Sequence, residues 1–253
     1  MYIDTHTHLY DEKFDTDRDQ IVQQAINHGI TKMYLPNCDS TTIEGMLALE
    51  KSHPKHCFAM MGLHPCYVNE HVQQELDTVR QWLDQRPFCA IGEIGLDYYW
   101  DKTFVAQQQA AFRTQIEWAL EFKRPIVIHT REATLDTISI VKEYVPRGIS
   151  GVFHCFSGSY ETAQQIIDMG FYLGIGGVLT YPKAGLQEVA QRIDLKHLVL
   201  ETDAPYLTPV PFRGKRNESA YIQHIAEKLA TLKGISVTEV AEITTKNATR
   251  LFQ

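Results

Sequence analysis

The 253-residue chain is 44% hydrophobic and 22% charged, which is ordinary for a globular protein. Its formal net charge of −7 argues against broad, sequence-independent binding to nucleic acid, although bound cations can reverse the sign of the charge at a site. Five cysteines without a C-x-x-C pair indicate neither a disulfide framework nor a thiolate zinc site. Most of them are expected to be small buried residues.

The start of the chain shows no secretory signal, because Met1-Tyr2-Ile3 leads directly into Asp4. The apolar runs are far shorter than the roughly 20 residues needed to cross a bilayer. We therefore expect a cytoplasmic protein without membrane association. No linker-like composition divides the chain, so residues 1–253 are expected to form one catalytic domain, acting as a monomer.

Short apolar runs alternate with longer segments of helical periodicity. Strands are predicted at 2–5, 30–35, 57–62, 88–92, 125–129, 149–154, 171–174 and 197–201. Helices are predicted near 15–28, 41–53, 72–85, 103–123, 132–145, 160–169, 184–192 and 219–232. Capping boxes are predicted at Thr41–Glu44 and Ser236–Glu239, and Gly29, Gly170 and Gly234 stand where helix C-caps need a left-handed residue.

Eight strand–helix units in about 250 residues are typical of a closed, parallel (β/α)₈ TIM barrel of the α/β class. A doubly wound open sheet is the alternative on pattern alone. Its dinucleotide-binding motif is missing, because Gly174-Ile175-Gly176 is followed by Leu179 where a third small residue is required.

Histidines and carboxylates stand at the ends of several predicted strands, where barrel enzymes place their functional groups. They are His6, His8, Glu93, His129, His154 and Asp203. His6 and His8 have the same strand parity, so both face the barrel mouth. Asp4 shares that parity one layer lower, where it is expected to orient a ligand imidazole.

Imidazole and carboxylate ligands without thiolates suit Zn²⁺, Mn²⁺, Co²⁺ or Fe²⁺, and Mg²⁺ less well. Six ligand side chains are too many for one tetrahedral ion. They suit two divalent cations about 3.5–4 Å apart that share a bridging carboxylate. The pattern therefore predicts a metal-dependent hydrolase.

Seven motifs spread over the chain resemble the TatD family of metal-dependent deoxyribonucleases, within the amidohydrolase-like barrels. They are Asp4-Thr5-His6-Thr7-His8-Leu9, Gly62-Leu63-His64-Pro65, Gly92-Glu93-Ile94-Gly95-Leu96-Asp97, Ile128-His129, Phe153-His154-Cys155-Phe156-Ser157-Gly158, Glu201-Thr202-Asp203-Ala204-Pro205-Tyr206 and Arg213-Gly214-Lys215-Arg216-Asn217. The resemblance implies that one cation is held by His6, His8, Glu93 and Asp203, and the other by Glu93, His129 and His154. It also implies an exonuclease-type phosphodiesterase acting on DNA.

The expected chemistry is attack on phosphorus by a water that the cations make more acidic, with Asp203 as general base and Glu93 as the bridging ligand. Candidate phosphate contacts are His64, Arg131, Arg213, Lys215 and Arg216. The alternative for the Arg213–Arg216 run is a solvated turn. Tyr98, Tyr99 and Trp100 could stack on a nucleobase, but packing over the barrel top is slightly favoured.

Two other functions remain open from the sequence. The same cations serve carbonyl chemistry, so a hydrolase of an ester or amide, such as an aminoacyl-tRNA ester, is one alternative. A non-enzymatic binding module on an inherited barrel is the other, although all six ligand positions are filled.

Overall fold

Eight parallel strands alternate with α-helices in the computed structural model, which describes residues 1–253. The strands are β1 Tyr2–Asp4, β2 Ile30–Leu35, β3 Cys57–Ala59, β4 Ile91–Asp97, β5 Ile126–Arg131, β6 Gly151–Phe153, β7 Tyr172–Ile175 and β8 Leu198–Leu200. The helices are α1 Arg18–Asn27, α2 Ile43–Ser52, α3 Val72–Gln85, α4 Val105–Phe122, α5 Thr134–Tyr144, α6 Tyr160–Asp168, α7 Leu186–Arg192, α8 Ile222–Lys233 and α9 Val237–Leu251. None of these helices is both long and apolar enough to span a bilayer.

The strands close into a barrel. β1 to β3 pair in sequence order, and so do β4 to β8. Backbone hydrogen bonds join the two sheets at both seams: Thr5 N donates to Leu200 O at 3.0 Å, and Gly92 N donates to Met61 O at 3.0 Å. The prediction of a parallel (β/α)₈ barrel is confirmed.

Helix α9 closes the N-terminal end of the barrel. Its Ala248 and Leu251 join a small apolar cluster with inward-facing residues of the strands, and the ring of Phe252 stacks on Tyr34 with centroids 4.0 Å apart. Ser236 caps this helix by accepting a hydrogen bond from Glu239 N, as predicted for the hydroxyl half of a capping box. The barrel therefore opens only at the C-terminal ends of its strands.

Three local predictions are wrong. β4 runs from Ile91 to Asp97 rather than over 88–92, because its pairing with β5 continues as far as Arg131. Thr41 does not cap α2, since its hydroxyl donates to Asp39 instead. The five cysteines are free, but only Cys57 is buried. By contrast, the three predicted C-cap glycines, 29, 170 and 234, all have positive φ.

Candidate metal centre

Glu93 lies at the centre of the open end of the barrel, with 2% of its surface exposed. Its Oε2 is 3.1 Å from His6 Nε2 and 3.7 Å from His8 Nε2. Its Oε1 is 3.0 Å from His129 Nδ1 and 2.9 Å from His154 Nε2. The two carboxylate oxygens therefore face two different sets of imidazoles.

Asp203 completes the first set. Its Oδ1 is 3.7 Å from His6 Nε2 and 3.5 Å from His8 Nε2, and the two imidazole nitrogens are 3.3 Å apart. These three residues could hold a metal ion, and so could His6, Glu93 and His154. The structure thus brings together all six residues that stand at the predicted strand ends.

Tyr10 fixes which nitrogen of His8 faces the centre. The Tyr10 hydroxyl donates its single proton to the Pro36 carbonyl, so it can only accept from His8 Nδ1, 2.8 Å away. His8 therefore carries its proton on Nδ1. Its Nε2 is left facing Glu93 and Asp203, so Nε2 is the nitrogen that the neutral ring would offer to a metal ion.

Asp97 does the same for His129 from the other side of the ring. Its Oδ2 accepts from His129 Nε2 at 2.8 Å, so Nδ1, towards Glu93, is the nitrogen that the neutral ring would offer to a metal ion. Gly95, between the two carboxylates on β4, has a φ of 144° and pairs with His129. A Cβ there would lie 2.0 Å from the His129 carbonyl oxygen, so only glycine permits this approach.

Glu201 lies beneath His154 and is fully buried. Its Oε1 accepts from the backbone N of Cys155 and is 3.3 Å from His154 Nδ1. That contact is not a well-formed hydrogen bond, and Glu201 Oε2 also has no partner. A Cβ on Gly174 would lie 2.3 Å from this oxygen. The absence of a side chain at Gly174 therefore provides the space in which the Glu201 carboxylate lies next to the His154 ring.

Asp4 does not orient a ligand imidazole, contrary to the expectation. Its Oδ1 accepts from Thr202 N at 2.9 Å and from the backbone N of His6 at 3.3 Å, while Oδ2 accepts from the Thr202 hydroxyl at 2.6 Å. The carboxylate joins the ends of β1 and β8. The Nδ1 of His6 is buried without a partner, and its ring stacks on His154 with centroids 3.8 Å apart.

The charges of the centre suit cation binding. Burial acts to raise the pKa of Glu93, but the surrounding imidazoles, His154 and His64 first, hold it well below its usual value. Burial also opposes ionisation of Asp203, whose pKa is nevertheless lowered, chiefly by its hydrogen bond with His8. Burial lowers the pKa of His6. The pKa values of His8, His129 and His154 are raised despite burial, by Cys38 and Asp203 at His8 and by carboxylates on both sides of the other two rings. Cation binding displaces the protons that such rings hold. Ionised carboxylates and unprotonated imidazole nitrogens are the ligand types of Zn²⁺ and related cations.

A cavity of about 1410 Å³ opens above the centre. Its wall includes His64 and Arg131, two of the predicted phosphate contacts. Arg213 and Lys215 are exposed and lie outside this wall, and the Arg213 guanidinium stacks over Tyr181. Arg216 is held away by an ion pair with Asp17 and a bond to the Lys13 carbonyl. A second groove, of about 640 Å³ along α9, contains no histidine or cysteine.

Comparisons with known proteins match this architecture along the whole chain. Residues 3–253 match the model of the family described as TatD related DNase. The chain belongs to this family. It is 39% identical over 254 residues to "Uncharacterized metal-dependent hydrolase YabD" of Bacillus subtilis, covering 100% of this chain and 99% of that protein. It is 32% identical to "3'-5' ssDNA/RNA exonuclease TatD" of Erwinia tasmaniensis, covering 98% of each.

Among solved structures, the TatD homologue YJJV from Escherichia coli K12 superposes with a TM-score of 0.93 at 30% identity, covering 99% of this chain and 97% of that one. The predicted TatD resemblance and the predicted enzyme class, a metal-dependent hydrolase, are confirmed. The alternative of a non-enzymatic binding module thereby loses its support. The cytoplasmic location and the monomeric state stay predictions.

His64 lies closer to this TatD-family centre than the sequence suggested. Its Nε2 is 3.3 Å from Glu93 Oε1 and 3.2 Å from His129 Nδ1. However, its Nδ1 accepts from the backbone N of Cys66 at 3.0 Å, so a neutral His64 carries its proton on Nε2. Burial lowers its pKa, which favours the neutral ring. His64 therefore presents a hydrogen-bond donor to the centre, not a ligand lone pair.

Sequence reasoning assigned no role to three residues that shape this site: Tyr10, Asp97 and Glu201. Two of them could be predicted from strand parity. Asp97 shares strand parity with Glu93, and Glu201 shares it with Asp203. Tyr10 follows the strand end in a loop whose path the sequence does not reveal.

Proposed function

We propose that this chain, as one catalytic domain, hydrolyses phosphodiester bonds at the ends of single-stranded DNA. The observation that carries the proposal is the bridging position of Glu93, whose two oxygens face separate ligand sets at the floor of an open cavity. Pairs of divalent cations in such an arrangement are typical of phosphodiesterases. The name of the Erwinia relative supports a single-stranded DNA or RNA substrate and an exonuclease mode.

In this proposal two divalent cations would be held by the residues around Glu93. Asp203, His6 and His8 would hold one of them together with Glu93. His129 and His154 would hold the other, also together with Glu93. The nitrogens of His8 and His129 that face Glu93, selected by the outer partners of the two rings, fit this role. Cations held there would supply Lewis acidity and make a water molecule more acidic.

Asp203 is the proton acceptor in this proposal. Its side chain is 13% exposed, whereas that of Glu93, the other carboxylate in the ligand sets, is only 3% exposed. Its lowered pKa keeps it ionised at neutral pH, so an Oδ atom can take the proton of the attacking water. Its backbone has a φ of 57°, an uncommon value for a side chain other than glycine. Such conformations cluster at functional sites.

His64 and Arg131 bind the phosphate of the substrate. The Nε2–H of His64 points at the centre, where it donates to a phosphoryl oxygen. The Arg131 guanidinium stacks on the ring of Tyr99, and the N–H groups along its edge can bind phosphate oxygens in pairs. Arg213 and Lys215, on the exposed loop, contact more distant phosphates of a longer strand.

The test is the activity of metal-reconstituted protein on single-stranded DNA labelled at either its 5′ or its 3′ end. We expect stepwise removal of nucleotides from the 3′ end, abolished in a His6→Ala/His8→Ala double variant. Carbonyl esters are assayed in parallel. Hydrolysis of an ester with intact DNA would reject the proposal in favour of the carbonyl hydrolase.

A further inference from the structure

Two aromatic side chains stand exposed on the loop that follows β4. Trp100 is 69% exposed and Tyr99 is 48% exposed, so the expectation of packing over the barrel top is wrong for these two, whereas Tyr98 packs against the core. Trp100 also lines the wall of the 1410 Å³ cavity. Tyr67 and Tyr206 are exposed on the same wall. Leaving so large an apolar ring in water has a free-energy cost that a ligand at this position would relieve.

Asp97 holds the aromatic loop and the metal centre together. Its Oδ1 accepts from Tyr99 N at 2.9 Å and from Trp100 N at 3.2 Å. Its Oδ2 accepts from the imidazole of His129, which faces Glu93. One buried carboxylate therefore fixes the backbone under Trp100 relative to the phosphate-cleaving centre. A group stacked on Trp100 would therefore be positioned relative to His129.

The charges around Trp100 fit a phosphate neighbour. The Arg131 guanidinium lies 3.7 Å from the ring centroid of Tyr99 and 5.3 Å from that of Trp100. It covers Tyr99 more closely than Trp100, which leaves the indole open to a ligand. Elsewhere the cavity wall carries charges of both signs, since Arg18 forms an ion pair with Asp15 and Lys13 and Asp11 both line the wall. A planar base would cover the open indole of Trp100, and its phosphate would then lie near the guanidinium of Arg131.

We propose that Trp100 is the platform on which an unpaired base next to the scissile phosphate stacks, with Arg131 beside it. The inference rests on the proposed function and deepens it. Because stacking needs an exposed face of the base, a base held in a duplex does not reach the platform. Aromatic platforms accept any base, so the site selects unpaired ends without reading sequence.

The experiment compares two single-stranded oligonucleotides that differ only at the 3′ end. One carries two terminal adenosines, and the other carries abasic tetrahydrofuran residues at the same positions with the same phosphates. For the unaltered protein we expect a KM at least about five-fold lower for the adenosine end, the range of one base–aromatic stack. Trp100→Ala removes this preference, and Trp100→Phe keeps much of it.

Trp82→Phe is the matched control, because Trp82 lies on α3 away from the cavity and its loss should leave the preference unchanged. If the unaltered protein cleaves neither oligonucleotide, the proposed function itself fails. If it cleaves both with equal KM, or if Trp100→Ala keeps the adenosine preference, only the stacking inference fails. In that case the exposed indole serves another occupant, such as a partner protein.

Discussion

His64 offers the sharpest test of how the centre is built, because its distances alone would make it a metal ligand. Its Nε2 is 3.3 Å from Glu93 Oε1, about as close as the imidazoles of the second ligand set. The hydrogen bond from Cys66 N to Nδ1 instead places the proton on Nε2. We therefore expect the affinity of His64→Ala for both cations to stay within about three-fold of that of the unaltered protein, a difference of less than about 1 kcal/mol.

The loss should appear in catalysis. A hydrogen bond to a charged group contributes about 1.5–3 kcal/mol, so His64→Ala should lower kcat by about 10- to 150-fold. His64→Gln keeps an N–H donor at similar reach and should recover part of that loss. Metal affinity is measured by calorimetric titration with Mn²⁺, and kcat on labelled single-stranded DNA.

The ligand control is His129→Ala, which should weaken the binding of one cation severely. The reasoning about His64 is refuted if His64→Ala loses that cation to the same extent as the His129 variant. It is also refuted if kcat is unchanged, because no donor would then be acting on the substrate.

The other predictions concern the support of the ligands and of the barrel. Tyr10→Phe should weaken cation binding about 10- to 100-fold, because the hydroxyl no longer fixes the tautomer of His8, and titration calorimetry checks this. Leu251→Ala should lower the free energy of unfolding by about 2–5 kcal/mol in chemical denaturation without changing metal content, since the side chain is 7% exposed at the barrel floor. The hydrogen bonds from Arg216 lower the pKa of Asp17 below its unfolded value, so the pair stabilises the fold above about pH 4 and loses this contribution as the pH falls. Asp17→Asn should therefore weaken the pH dependence of stability below pH 4, and an unchanged acid denaturation curve would exclude the effect.

The barrel and its ligand cluster were open to prediction because they rest on periodicity and parity. Eight apolar runs separated by helical segments already indicate the closed sheet. His6 and His8 face one way because strand side chains alternate. Glu93 belongs to the predicted set because it stands at the end predicted for the fourth strand, although the strand itself continues to Asp97. Because the predicted strand ends at residue 92, the prediction does not include Asp97, the hydrogen-bond partner of His129.

Hydrogen-bond partners across the fold could not be derived in the same way. The tautomer of His64 depends on a backbone N–H in the turn that follows it, and that of His8 on a hydroxyl bound to the Pro36 carbonyl. The charge of a residue also does not show which way its loop faces. Arg213 and Lys215 are predicted phosphate contacts, but both lie outside the cavity. The exposure of Trp100 could not be predicted from the sequence either, because large apolar side chains are usually packed in the protein interior.

The central claim is that Glu93 bridges two cations. Anomalous diffraction from crystals soaked in Mn²⁺ tests it most directly. Two peaks are predicted about 3.5–4 Å apart, one beside each carboxylate oxygen of Glu93. A single peak, or two peaks that do not share this carboxylate, would contradict the account.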